Sequence, residues 1–125
     1  QVDQIYNNGI AIYNLENRVG SVNIFSYFRY VISLRKIISK IKPDFIFYVT
    51  LEMSFFGALI NNSINIKKSF FLITGLGPFF FNPKFKYRLA RIIQKISFVL
   101  CKYRNEQSFI FQNLEDLDTF VDLGF

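Results

Sequence analysis

The chain has 125 residues, about one domain's worth, and 51% of them are hydrophobic, which is ample for one core. A single cysteine, Cys101, and no histidine exclude an intrachain disulfide and weigh heavily against a zinc centre. The net charge of +6 is uneven: residues 84–104 carry seven bases and no acid, and residues 115–122 carry four acids and no base, so the surface is directional rather than uniformly cationic.

No uncharged apolar run approaches the ~20 residues of a spanning helix. Residues 69–82 come closest, and Gly75, Gly77 and Pro78 interrupt them. The start, Gln1-Val2-Asp3-Gln4, has neither a signal-peptide pattern nor an initiator Met, so we expect a piece of a longer chain. One cysteine fits a reducing compartment. The 17 phenylalanines have two readings, AT-rich codon usage and packing demand.

In chain order, residues 10–15 form a short strand candidate and 17–22 a polar link, while 2–6 make no recognisable element. Residues 23–41 are helical, because Tyr27, Val31, Leu34, Ile38 and Ile41 recur at three- and four-residue spacing, and Pro43 stops them. Residues 45–49 and 69–73 are continuously apolar, as strands buried on both faces are. Between them, 54–61 form a short helix that Asn61-Asn62 ends. Asn82 and Pro83 are placed to open a basic helix running to about residue 104. A strand at 109–111 precedes a final helix with Asn113 as cap and Asp116 in its first turn. The order β-α-β-α-β-α-β-α predicts an α/β fold: a Rossmann-like parallel sheet with helices on both faces. Gly124 looks like a helix stop with a further strand beyond it, so the sheet is expected to be incomplete.

Ligand sites of open parallel sheets lie beyond the carboxyl ends of the strands. Thr74-Gly75-Leu76-Gly77 follows a strand there, and glycines let backbone approach a ligand. A dinucleotide fingerprint does not fit, because the third glycine is missing and the helix starts late. A tight turn without ligand and a cleft-lining loop both remain open. Glu52 lies beyond the strand 45–49, as a binding carboxylate or a favourable first-turn charge. Gln112 and Asn113 end the last strand, Asn113 by default as a cap. Glu115 and Asp118 are neighbours on a helix, most simply as solvated charge. Without histidine there is no Ser-His triad.

On the basic helix, Lys84, Arg88, Arg91, Lys95 and Lys102 share one face. Phe85, Leu89, Ile92, Ile96, Val99, Leu100 and Tyr103 share the face expected to pack on the sheet. Tyr87 and Phe98 fall beside the basic face, and Phe79, Phe80 and Phe81 precede it. Cations interleaved with exposed aromatics suit an anionic membrane surface, each cation contributing ~1 kcal/mol. The plain alternative is a solvated helix face. Nucleic acid is disfavoured, since no recognition motif accompanies the charge.

The run Ile73-Thr74-Gly75-Leu76-Gly77, the basic helix, and Phe109-Ile110-Phe111-Gln112-Asn113 followed by Asp116 and Phe120 resemble the N-terminal half of family-four glycosyltransferases. Lys42-Pro43-Asp44 before a strand is similar as well, so the resemblance covers nearly the whole chain. The nearest members are bacterial enzymes of surface-polysaccharide, including lipopolysaccharide, biosynthesis. This resemblance implies an incomplete N-terminal, acceptor-side half of a GT-B fold over residues 1–125. The C-terminal donor domain, with its nucleotide-sugar, lies outside the chain. It implies a retaining transfer without metal, no cofactor in this chain, and an acceptor that is often a lipid-linked sugar at the cytoplasmic membrane face. It places Thr74, Gly75, Leu76 and Gly77 on the acceptor side of the cleft, with Gln112 and Asn113 nearby. The family's first strand and glycine-rich turn are absent. Thr50 and Glu52 stand where histidine is common, so no catalytic residue is assigned, and the fragment alone is expected to show no turnover. The alternatives are a stand-alone α/β binding module, whose basic helix contacts a membrane, polyanion or protein, and a functionless remnant.

Overall fold

The computed structural model describes residues 4–7, 10–13, 15, 24–102 and 106–125, without the side chains of 4–7, 24–27, 78, 79 and 86. It divides into two compact units, Gln1–Lys42 and Pro43–Phe125. In the first, β1 (Gln4–Asn7) pairs antiparallel with β2 (Ile10–Tyr13), Gln4 opposite Tyr13 and Asn7 opposite Ile10. A strand therefore forms where the sequence showed no element, because the segment gains a local antiparallel partner. Helix α1 (Ile24–Ile41) follows the predicted span. It ends where Lys42 turns left-handed at φ 50° and donates its N–H to the Ile38 carbonyl at 2.8 Å, just before Pro43.

The second unit is a three-stranded parallel sheet of β3 (Phe45–Val49), β4 (Lys68–Ile73) and β5 (Glu106–Phe111), in that spatial order. Helix α2 (Leu51–Asn61) connects β3 to β4, and α3 (Gly77–Phe81) and α4 (Phe85–Lys102) connect β4 to β5; α5 (Leu114–Asp122) follows. Both crossovers step in the same direction, and right-handed crossovers then put their helices on one face. Tyr48, Phe71 and Phe109 pair in register across the sheet and point to that face. Alternate residues Phe45, Phe47 and Val49 point the other way and are exposed, with Phe47 stacked on Phe70 at 4.4 Å. Within this unit the helices lie on one face of the sheet.

Over β3 and β4, α2 packs so closely that a Cβ on Gly57 would stand 2.5 Å from the Tyr48 ring. The Tyr48 hydroxyl donates to Asn61 Oδ1 at 2.7 Å, and Asn61 Nδ2 donates to Ser69 Oγ at 2.6 Å, so this buried polar chain is internally paired. Burial, and secondarily the Cys101 thiol, raises the Tyr48 phenol far above its ordinary pKa.

The other half of the core is phenylalanine. Phe98 meets Phe71 and Phe109 edge-on at 5.3 and 5.0 Å, and Phe120 contacts Phe111 at 5.1 Å and Phe125 at 4.6 Å. These contacts give part of the phenylalanine excess a packing role. They also decide which way α4 faces. Its buried arc is Gln94, Ser97, Phe98 and Cys101, while Phe85, Leu89, Ile92, Ile96, Val99 and Leu100 are exposed. The predicted inner face is thus the outer one: a helix with two apolar arcs buries the one whose ring completes the cluster. Tyr103 lies outside the described residues. The helix also starts later than predicted. Asn82 is extended and ends α3, its Oδ1 accepting from the Lys84 N–H at 3.1 Å, and the first helical residue is Phe85, not Pro83.

Candidate functional site at the carboxyl edge of the sheet

Because the three strands are parallel and Val49, Leu72 and Ile110 are paired, their carboxyl ends open on one edge. The segments singled out from sequence follow directly: Thr50 to Glu52 after β3, Thr74 to Gly77 after β4, Gln112 and Asn113 after β5.

Beyond β3, the Thr50 N–H still donates to the Leu72 carbonyl at 2.9 Å. Thr50 then takes φ 84°, ψ 156°, a region occupied almost only by glycine and strained for a β-branched residue. The start of α2 holds it there. Thr50 Oγ1 accepts from the Met53 N–H at 3.3 Å, and its carbonyl accepts from the Ser54 hydroxyl at 2.7 Å and the Ser54 N–H at 3.0 Å. Helix α2 therefore begins three residues earlier than predicted, and Glu52 sits exposed in its first turn. The sequence carries no sign of the backbone at Thr50; the Ser54 four residues on is the only cue, and an indirect one.

After β4, Gly75 has φ 151° and Gly77 φ 60°. A Cβ at either would meet nothing within 4 Å. Conformation rather than crowding demands these glycines, and open space lies beside the turn. Thr74 is exposed. Leu76 is a correction: at 2% exposure its side chain anchors the turn in the core and does not line a cleft.

After β5, Gln112 is exposed. Asn113 caps α5 as expected: its Oδ1 accepts from the Asp116 N–H at 2.8 Å and its Nδ2 donates to Asp116 Oδ2 at 2.9 Å. Both ends of its amide are thus engaged with α5, although Asn113, like Gln112, is exposed. Together this edge offers hydroxyl, amide, backbone and carboxylate groups, a hydrogen-bonding set. The strand order does not reverse within the three described strands, so the crevice of a topological switch point is not formed among them.

A groove of about 940 Å³ lies elsewhere. It runs along β5 between α4 and α5, lined by Phe98, Phe109, Phe111, Phe120 and Phe125, with Lys68, Lys102 and Glu106 at the amino end of the strands. None of the carboxyl-edge residues borders it. The amino edge is held by ion pairs, Lys67 to Asp44 at 2.7 Å and Lys68 to Glu106 at 3.6 Å.

The predicted membrane-contact set divides. Phe81, Lys84, Arg88 and Lys102 are exposed. Phe80 and Phe98 are corrections, 3% and 6% exposed, because both join the aromatic core. Arg91 is half-buried and its guanidinium donates to the carbonyls of Phe80 and Asn82 at 3.0 and 3.2 Å, capping α3. Lys95 leans over the end of α5, its ammonium 2.6 Å from where a Cβ on Gly124 would be, where the helix dipole favours a cation. The Phe79 side chain lies outside the described residues.

Among the described residues no helix is long and apolar enough to cross a membrane, and no cluster of His, Cys, Asp or Glu is placed to hold a metal ion. Comparison with protein-family models, curated proteins and solved structures finds no match to this chain.

Proposed function

We propose that this chain is acceptor-side scaffold of a bacterial glycosyltransferase in surface-polysaccharide biosynthesis, which moves a sugar, with retention, from a nucleotide-sugar to a saccharide acceptor. In this reading the acceptor is lipid-linked, the protein works at the cytoplasmic membrane face, and a second domain holds the donor diphosphate. One observation carries it. Three parallel strand ends bring Thr74, Glu52 and Gln112 to one edge, with open space beside the backbone at Gly75 and Gly77. Saccharide hydroxyls both donate and accept hydrogen bonds, and an exposed carboxylate, a primary amide and approachable backbone are suited to them. The motif resemblance supplies the reaction class, and it is an argument by analogy.

In this role Glu52 and Gln112 orient the acceptor and the glycine turn lets it lie close to the backbone. The test is sugar transfer by the full reading frame that contains this chain. It would be incubated with bacterial membranes and radiolabelled UDP- and GDP-sugars, and lipid-extractable label counted. The proposal expects incorporation, with kcat/KM lowered about 10–100-fold by Gly75→Val, which strains the backbone at φ 151° and fills the open space beside the turn. Absence of incorporation with every donor would end this reading.

A further inference from the structure

We infer that the outward face of α4 is a surface that lies flat on an anionic lipid interface, apolar stripe down and cations along one border. This deepens the membrane part of the proposal above by naming the surface. Its test uses vesicles without any saccharide, so its failure leaves the sugar-transfer reading standing.

The stripe is formed by Phe85, Ile92, Ile96 and Val99. Phe85 is 79% exposed and Ile92, Ile96 and Val99 are about half exposed. At 100° per residue these four lie opposite the buried arc of Gln94, Ser97, Phe98 and Cys101. The inversion is built into the packing. Rotating α4 to hide the stripe would pull Phe98 out of contact with Phe71, Phe109 and Phe120. The buried arc even accepts polar residues to keep that ring in place: Gln94 Oε1 is buried with no hydrogen-bond partner, and the Ser97 hydroxyl bonds back to the Ile93 carbonyl at 2.8 Å. The fold therefore holds an apolar stripe outward along a helix of 18 residues, about 27 Å at the standard rise. Such a stripe calls for an apolar medium.

Charge identifies the medium. Lys84, Arg88 and Lys102 are exposed on the arc adjoining the stripe, and they span its whole length. No acidic residue occurs between positions 84 and 102. An apolar arc bordered by cations matches the boundary between acyl chains and anionic headgroups, where long basic side chains lie over the surface with their ends in the headgroup layer.

The chain contains no tryptophan, so a single introduced one reports its own surroundings. Phe85→Trp would probe the stripe and Phe47→Trp the exposed sheet face. Each variant would be mixed with vesicles of phosphatidylcholine alone or with phosphatidylglycerol. The inference expects the Phe85→Trp emission to move to the blue and to be quenched by brominated acyl chains, with partitioning at least about tenfold stronger onto the anionic vesicles. The Phe47→Trp spectrum should stay as it is without lipid. Ile96→Asp should abolish insertion while leaving the far-UV circular dichroism unchanged. Charge reversal at Lys84, Arg88 and Lys102 should remove the preference for anionic vesicles. Equal partitioning onto both vesicles, unimpaired insertion by Ile96→Asp, or a Phe47→Trp response matching Phe85→Trp would each overturn the inference. A blue shift that grows with protein concentration and needs no lipid would also overturn it, by identifying a second copy as the occupant.

Discussion

Helices α2 and α4 do the same topological job and solve it in opposite ways. Each connects neighbouring parallel strands, and each lies on the same face of the sheet. Helix α2 is apolar almost all round. It buries Phe56, Gly57, Ala58 and Ile60 and pairs its buried Asn61 with Tyr48 and Ser69. Helix α4 is strongly two-sided. It buries one aromatic ring with a glutamine, a serine and a cysteine, and leaves its richest apolar arc outside. A helix whose apolar residues are all buried or half-buried serves the core, whereas one with an exposed apolar arc left over has something further to meet.

The sharpest way to break this contrast is to put one charge on each side of α4. Phe98→Asp places a carboxylate among Phe71, Phe109 and Phe120, so it loses the ring and buries a charge. The expected loss is at least about 4 kcal/mol, enough to unfold a small domain. Ile96→Asp, two residues away on the exposed arc, should change stability by no more than about 0.5 kcal/mol. Urea denaturation followed by far-UV circular dichroism measures both. Similar losses for the two variants would mean that α4 packs the other way round.

The matching change in α2 is Gly57→Ala. On an exposed helix this substitution stabilises by roughly 1 kcal/mol, because glycine is the poorer helix former. Here the added methyl would stand 2.5 Å from the Tyr48 ring, and that ring is held by its bond to Asn61. Overpacking should win, for a net loss of about 1–3 kcal/mol in the same denaturation experiment. A gain would show that Tyr48 has room to retreat and that α2 is less tightly seated than α4. A milder change at the same contact, Tyr48→Phe, removes the buried hydrogen bond to Asn61 Oδ1 and should lose about 1–2 kcal/mol.

These helices also mark how far the sequence could be followed. The strands of the parallel sheet, α1 and α5 were legible because short apolar runs, Pro43 and the Asn113 cap are local signals. The stripe of α4 was legible as a stripe, but not its direction. Periodicity says which residues share a face, while the facing depends on Phe71, Phe109 and Phe120, which come from β4, β5 and α5. Which face the helices of the second unit cover was not legible for a similar reason. Strand order fixes the face, and nothing local to a strand records its neighbours. The carboxyl-edge segments were found from their places after strands, but Leu76 and Asn113 could not be separated from ligand-facing residues until their burial and bonding were seen.

The smallest effect concerns how α2 begins. Thr50 holds its strained backbone because the Leu72 carbonyl and the bonds from Met53 and Ser54 fix it from both sides. Such strain is of order 1–3 kcal/mol, and glycine relieves it. Against that gain stand the extra freedom of an unfolded glycine, about 0.5–1 kcal/mol, and the loss of the threonine cap, a few tenths. Thr50→Gly should therefore stabilise the domain by about 0.5–1 kcal/mol, seen as a higher urea midpoint at unchanged slope. If the residue merely caps α2, the same substitution destabilises, and α2 then starts as an ordinary helix does. A gain in stability would show strain stored at the edge where the acceptor is proposed to bind. The sugar-transfer assay would then tell whether relaxing it also lowers kcat/KM.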